Sequence, residues 1–257
     1  MKTAVTGAGG MIGTALTELL ETRGVDVFRA TRDLTVQTES ADVFFHLGWG
    51  GTSAAQRGDP TAQSANIAYT LKAVEFAKKL GCKKFVYAGS QAEINSANAY
   101  AISKNAAGAL AAIACEQAGI EFIRTRIFSI YGRGDLPTTL MSYLIKAFAE
   151  GEIPALTKCE QIWDYMYVKD CALALILLAE QGKTGEIYNL GSGVERPLRE
   201  FVEEIREAVN PQGQVNFGAK PYAPGQVMRL CADTTALVRD TGFKPQYSFI
   251  EGIKDML

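Results

Sequence analysis

Thr6-Gly7-Ala8-Gly9-Gly10-Met11-Ile12-Gly13 lies between an apolar run, Thr3–Thr6, and an amphipathic run, Ile12–Arg23. A strand that turns into a helix through so many glycines has the form of a phosphate cradle. Gly7 suits the tight turn, Gly10 lets the backbone approach a pyrophosphate, and Gly13 lets helix and strand pack closely. Gly9, Met11 and Ile12 complete the loop, and N–H groups at the helix start meet the phosphates. Alone the pattern is a weak signal; as the first strand–helix turn of an alternating chain it points to a dinucleotide.

The alternation continues outward from that loop. Strand-like runs fall at Val25–Ala30, Val43–Leu47, Phe85–Ala88 and Glu121–Phe128, and helical runs at Ile67–Leu80 and Tyr100–Ala118. Gly24, Gly81 and Gly119 stand just past the three helices, where a left-handed backbone costs glycine least. Near-continuous apolar strands predict a parallel sheet covered on both faces, an α/β doubly wound sheet of Rossmann type. Asp33 to Asp42 is too short for a helix and a strand, so one βα unit of the usual six-strand arrangement is trimmed. Beyond residue 130 the rhythm loosens, with helical runs at Leu140–Glu150, Val168–Glu180 and Leu198–Val209 and a strand at Ile187–Leu190. Residues 1–130 are read as a dinucleotide-binding domain. Residues 131–257 are read as a smaller α/β lobe, mainly substrate-binding, with about 160–190 returning to the main sheet.

Composition narrows the partners. The 257 residues are 47% apolar and 21% charged, which excludes a disordered chain. With 26 basic and 28 acidic residues the formal charge is −2, so no whole-chain field draws the protein to nucleic acid or an anionic membrane. The five cysteines form no C-x-x-C pair and suit reduced thiols, which leads us to expect a cytoplasmic protein. One histidine cannot build a His-rich site, and no metal is expected. Met1-Lys2-Thr3-Ala4-Val5 enters a strand directly, without the charged and apolar regions of a signal peptide.

At the end of the second strand, Phe28-Arg29-Ala30-Thr31-Arg32, the acid expected for a ribose is replaced by cations. Arg32, with Arg29, is placed to meet a 2′-phosphate, which favours NADP over NAD. Asp33 remains within reach of a ribose or adenine. Tyr100-Ala101-Ile102-Ser103-Lys104 puts a phenol and an ammonium four residues apart on one helix face. A nearby cation favours phenolate and prepares the tyrosine for proton transfer near neutral pH. Ser90, past the strand Phe85–Ala88, can supply a further hydrogen bond to the same substrate oxygen.

Thr6-Gly7-x-x-Gly10-x-x-Gly13, Phe45-His46-Leu47-Gly48, Asn66 at the head of the next helix, Ser90 and Tyr100-x-x-x-Lys104 together resemble the extended short-chain dehydrogenase/reductase family. That family comprises sugar-nucleotide epimerases, dehydratases and reductases. Arg126-Ile127-Phe128-Ser129-Ile130-Tyr131-Gly132, Trp163-Asp164-Tyr165 through Asp170, Gly185-Glu186-Ile187 through Gly193 and Gly242-Phe243-Lys244-Pro245 extend the resemblance over nearly the whole chain. The resemblance implies Tyr100 as acid/base, Lys104 on the nicotinamide ribose and Ser90 beside the reacting oxygen. It implies cofactor contacts from the glycine loop, Arg32, Leu47, Gly48, Asn66 and Phe128, and substrate contacts from Ser90, Gln91, Ser129, Trp163 and Arg229. It also implies a homodimer through the Tyr/Lys helix and the helix before it, with Ala106, Ala107, Leu110, Ala111 and Ala114 on the contact.

The sequence departs from the family in several places. Where the 4,6-dehydratases carry an Asp-Glu pair after the strand-end hydroxyl, this chain has Gln91 and Ala92; Glu93, one residue on, points elsewhere. The loop from Ser90 to Tyr100 is short. Trp163 replaces an arginine that binds diphosphate, Tyr222-Ala223 replaces a second one, with Arg229 nearby, and Ser129 replaces an asparagine. Three readings follow: reduction of a 4-keto-sugar on a nucleotide carrier, a nucleotide-sugar 4-epimerase that retains NAD, and a non-catalytic NADP-binding sensor.

Overall fold

The computed structural model describes residues 2–35, 40–53, 55–95 and 98–257. The chain divides into two compact units: Met1–Ile127, Cys171–Leu190 and Thr234–Phe243 form the first, and Phe128–Asp170, Gly191–Asp233 and Lys244–Leu257 the second.

The first unit is built on six parallel strands: β1 (Lys2–Thr6), β2 (Asp26–Ala30), β3 (Val43–His46), β4 (Lys84–Ser90), β5 (Glu121–Ile127) and β9 (Ile187–Leu190). Their order is β2-β1-β3-β4-β5-β9. Successive side chains of a strand face opposite ways. The register aligns Ala4, Phe44, Phe85 and Phe122 on one face and Val5, Phe45, Val86 and Ile123 on the other. Both rows are almost wholly excluded from water, so the sheet is covered on both sides, the doubly wound arrangement the apolar strands predict. On the first face Phe44 stacks on Phe85 with ring centroids 5.2 Å apart. Beyond β2 the sheet has no further strand among the described residues. This is the trimmed unit; the expected segment, 33–42, includes residues 36–39, outside the described set.

Helices α1 (Met11–Thr22), α2 (Pro60–Lys79) and α3 (Ala99–Ala118) follow β1, β3 and β4. Ala73, Ala77, Ala107 and Ala111 are fully buried in one core with the phenylalanine row. Ala107 and Ala111 are therefore spent inside the unit, correcting their expected place on a subunit contact. The large apolar side chains exposed on α3 are instead Ile102, Leu110 and Ile113, with Ala106 and Ala114 half-buried. The second correction is the start of α2. It begins not near Ile67 but at Pro60, capped by Asp59, whose carboxylate accepts the N–H groups of Thr61 and Ala62 at 2.9 and 3.1 Å. Asn66 thus lies in the second turn, not at the head. Gly119 ends α3 in the left-handed conformation, φ +68°.

The second unit holds a two-stranded parallel sheet, β6 (Ser129–Tyr131) with β8 (Tyr165–Tyr167), and a three-stranded one, in which β7 (Ile162–Trp163) lies between β10 (Arg196–Pro197) and β11 (Arg229–Leu230). With them come the helices Leu140–Ala149, Leu198–Val209 and Phe249–Met256. Rings of Tyr131, Tyr165, Phe201 and Phe249 form its aromatic centre. Strands of two or three residues show no alternation, which is why the sequence reading passes over them.

Candidate functional site

Because β1 pairs with β2 on one side and β3 on the other, the strand order reverses at β1. In open α/β sheets a ligand crevice opens at such a point, beyond the carboxyl ends of the strands. The glycine loop stands there. Gly7 has φ +71°, and a Cβ on it would lie 2.8 Å from Gly48 N; a Cβ on Gly13 would lie 2.1 Å from Gly7 O. Both positions exclude any side chain. A Cβ on Gly9 would meet nothing within 4 Å, and one on Gly10 only Gly7 O at 3.4 Å. Gly10 starts α1 without a side-chain cap and with no acid in the first turn. The first helical bond, from Thr14 N to Gly10 O at 2.8 Å, leaves the N–H groups of Met11, Ile12 and Gly13 without helical partners. An uncapped helix start behind bare glycine fits a pyrophosphate.

At the end of β2, Arg29 is drawn to Glu21 of α1 at 2.6 Å. This corrects its expected role: Arg29 is already paired. Arg32 has no ion-pair partner among the described residues. Its guanidinium lies 4.9 Å above the Tyr69 ring. Arg32, Asp33, Leu34, Tyr69, Lys72 and Lys79 line a cleft of about 450 Å³. The Asp33 carboxylate accepts the Thr31 hydroxyl, which holds its pKa below the usual range.

The end of β3 is tied to α2 by polar side chains. His46 lies between Thr6 Oγ1, 2.9 Å from Nδ1, and Thr70 Oγ1, 3.1 Å from Nε2. Burial, then the Lys104 charge, lowers its pKa to about 3. It is a neutral structural residue. Leu47 and Gly48 follow, Gly48 N donating to Thr6 Oγ1 at 3.2 Å. Asn66 is fully buried, accepts from Gly50 N at 2.8 Å and donates to Gly50 O at 3.0 Å. Its side chain holds the loop after β3. Gln63 does the same one turn earlier, donating to Gly51 O and Gln56 O at 2.6 and 3.0 Å and accepting from Trp49 Nε1 at 2.9 Å.

Ser90, Tyr100 and Lys104 converge in the first unit. Ser90 ends β4, its hydroxyl accepts Ala92 N at 3.2 Å, and it stands near enough to Tyr100 to act on the phenol. Tyr100 opens α3, whose cap, Asn98, accepts from Ala101 N at 2.9 Å. Lys104, one turn on, is 5% exposed and donates from Nζ to Ala88 O at 2.7 Å. Burial lowers its pKa to about 7 against the opposing charge of Glu93. Burial raises the Tyr100 pKa, outweighing Ser90 and the Arg57 guanidinium 4.9 Å above its ring, which lower it. Tyr100 is thereby held as a phenol, the proton-donating form.

Glu93 is buried on the turn after Ser90. It accepts Ser90 N at 2.8 Å and pairs with Arg124 at 2.8 Å and Arg126 at 3.5 Å. Its carboxylate is buried and fixes the backbone that carries Ser90. Sequence reasoning missed Trp49, Gln63 and Arg57. One signal was available: Gln63 and Asn66, three residues apart, share a helix face that should have been apolar. Gln91, beside Ser90, is half-buried.

In the second unit Phe128 is buried at its start. Trp163 Nε1 donates to Ser129 Oγ at 2.8 Å, joining two expected substrate residues. Arg229 lies on the strand next to Trp163 but is held by both Glu195 oxygens at 2.5 and 2.6 Å. Asp164 is fully buried and accepts four donors, Ser192 N and Oγ at 2.8 and 2.6 Å and the N–H groups of Gly193 and Ala232 at 3.2 and 3.3 Å. Among the described residues no cluster of three potential metal ligands occurs, and no helix is long and apolar enough to cross a membrane.

CDP-abequose synthase of Salmonella muenchen is 27% identical over 144 residues, 55% of this chain and 49% of that protein. The chain thus spans about half the length of the first curated relatives it matches. Among solved structures, RMD from Pseudomonas aeruginosa complexed with NADPH matches with TM-score 0.87 and 21% identity, covering 100% of this chain and 98% of that one. UDP-glucose 4-epimerase from Thermotoga maritima with UDP-glucose matches with TM-score 0.85 and 21% identity, covering 100% and 97%. At these identities the likeness is one of fold. The model of the NAD dependent epimerase/dehydratase family matches residues 3–191. The chain belongs to the NAD dependent epimerase/dehydratase family.

Proposed function

We propose that this chain uses NADPH to reduce the 4-keto group of a sugar carried on a nucleotide, with Tyr100 as proton donor. The observation that carries the reading is the buried Tyr100 phenol one helical turn from the buried Lys104, whose ammonium is held on Ala88 O at 2.7 Å, with Ser90 at the end of the same strand. When bound, the nicotinamide supplies hydride to the carbonyl carbon. Ser90 orients the carbonyl oxygen and Tyr100 gives that oxygen its proton. Lys104 binds the nicotinamide ribose and, as an ammonium, stabilises the phenolate left behind. The uncapped start of α1 takes the pyrophosphate, and Arg32, without an ion-pair partner among the described residues, takes the 2′-phosphate. Gln91, Ser129, Trp163 and Arg229 are assigned to the substrate.

A 4-epimerase that retains NAD is the second reading, favoured by the fold likeness to UDP-glucose 4-epimerase. Incubation with NADPH and a nucleotide-linked 4-keto-6-deoxy-sugar, followed at 340 nm, separates the two. The reductase reading expects stoichiometric NADPH loss and about a 10²–10⁴-fold lower kcat for Tyr100→Phe. Interconversion of 4-epimers without net oxidation supports the epimerase. Cofactor binding with Tyr100→Phe fully functional in vivo and Gly10→Asp inactive supports a sensor.

A further inference from the structure

Trp49 follows the strand-end pair Leu47-Gly48, on the loop fixed by α2. Gln63 and Asn66, both wholly buried, hold the backbone at residues 50, 51 and 56, and Gln63 also accepts the indole N–H. Fixed this way, the indole lies 4.0 Å from Lys104 Nζ, measured to the ring centroid. It meets Tyr100 edge-on at 6.1 Å and 84°. An ammonium has three donors. One of them goes to Ala88 O, and two aromatic rings face the same group, Trp49 at 4.0 Å and Tyr87 at 5.3 Å. A tryptophan face is the best aromatic partner for a cation, and its attraction grows as water is excluded.

We propose that Trp49 is a positioning residue of the Tyr100–Lys104 pair, its indole face holding the Lys104 ammonium against Ala88 O beside Tyr100. The inference rests on reading Tyr100 and Lys104 as the reacting pair. The other groups that face Lys104 are Glu93 on the turn after β4, the neutral His46 on β3, Tyr87 on β4 and Tyr100 on its own helix; Arg57 stands over Tyr100, and Arg124 acts on Tyr87. Of these Glu93 favours the ammonium, while burial opposes it. The indole adds to the side of Glu93.

The test is the titration of Lys104 itself, followed by 13C NMR in the whole protein labelled at lysine and assigned with Lys104→Arg. Trp49→Leu is expected to lower the Lys104 titration by about one pH unit, and Trp49→Phe to restore much of it. Gln63→Leu, which frees the indole but keeps it, is expected to give a smaller shift the same way. The alkaline limb of kcat/KM should move with Lys104, whereas a merely structural role would lower activity equally at every pH. An unchanged Lys104 titration in folded Trp49→Leu overturns the inference, as do equal shifts for Leu and Phe. Should Lys104 shift as expected in a protein that reduces no keto-sugar, the inference stands and the assigned reaction falls.

Discussion

Thr70 has one hydroxyl hydrogen and gives it to Asn66 O at 2.9 Å, so His46 Nε2 must carry its own proton toward Thr70 and Nδ1 must accept from Thr6. No position is left for a second proton, in keeping with a pKa lowered to about 3. The unfolded chain binds that proton near pH 6.5. Stability is therefore whole above pH 6.5 and is lost as the pH falls from there toward 3, at about 1.4 kcal/mol per pH unit. Urea denaturation of the protein and of His46→Asn at pH 7, 5 and 4 checks this: the variant should lack that part of the slope, and equal slopes would contradict a histidine held neutral in the folded protein. Tyr100 and Lys104 were legible in the sequence because a four-residue spacing on a helix is local. Trp49 was not, since its contact with Lys104 joins residues 55 positions apart. The direction of the Tyr100 shift was also illegible, because burial, not the neighbouring ammonium, decides it.

Helix α1 and its glycine turn make the sharpest demand among the elements. Gly13→Ala places a methyl group 2.1 Å from Gly7 O, and the helix must move off the turn at a cost of about 1–3 kcal/mol. NADPH affinity should fall at least about 100-fold if the phosphates sit on those N–H groups, while Gly9→Ala should bind as the unaltered protein does. Calorimetric titration with thermal unfolding checks both, and normal binding by Gly13→Ala would contradict the cradle. Between α2 and α3 the buried alanines set the approach: Ala107→Leu should destabilise by about 1–3 kcal/mol. Leu110→Glu, on the exposed face, should leave stability nearly unchanged and shift a dimer to monomer in sedimentation; a stable dimer in that variant places the contact elsewhere. The missed first turns of α2 have a physical cause. Gln63, Asn66 and Thr70 point inward there to hold the loop and His46, so apolar periodicity begins only after the functional part of the helix. Asp59-Pro60, a cap and a first-turn proline, was the signal that outranked it.

Over the whole molecule, the alternation of apolar strands and amphipathic helices made the parallel sheet legible. It left the second unit indistinct, because strands such as Ile162–Trp163 and Arg229–Leu230 are too short to alternate. The trimmed unit after β2 was visible as a gap too short to fill. The sheet still reaches six strands because β9 joins β5 from far along the chain. The proposed preference for NADPH rests on how the two arginines at the β2 end are spent: Arg29 on Glu21, leaving Arg32. The central claim is a nicotinamide-linked reductase that takes its cofactor from solution as NADPH. It is tested most directly by analysing the purified protein for bound nucleotide, then titrating it with NADPH and NADH alongside Arg32→Ala. The account expects no retained NAD, NADPH bound at least about tenfold tighter than NADH, a difference of about 1.4 kcal/mol, and loss of that difference in Arg32→Ala. Tightly retained NAD, or NADH bound as well as NADPH, would contradict it.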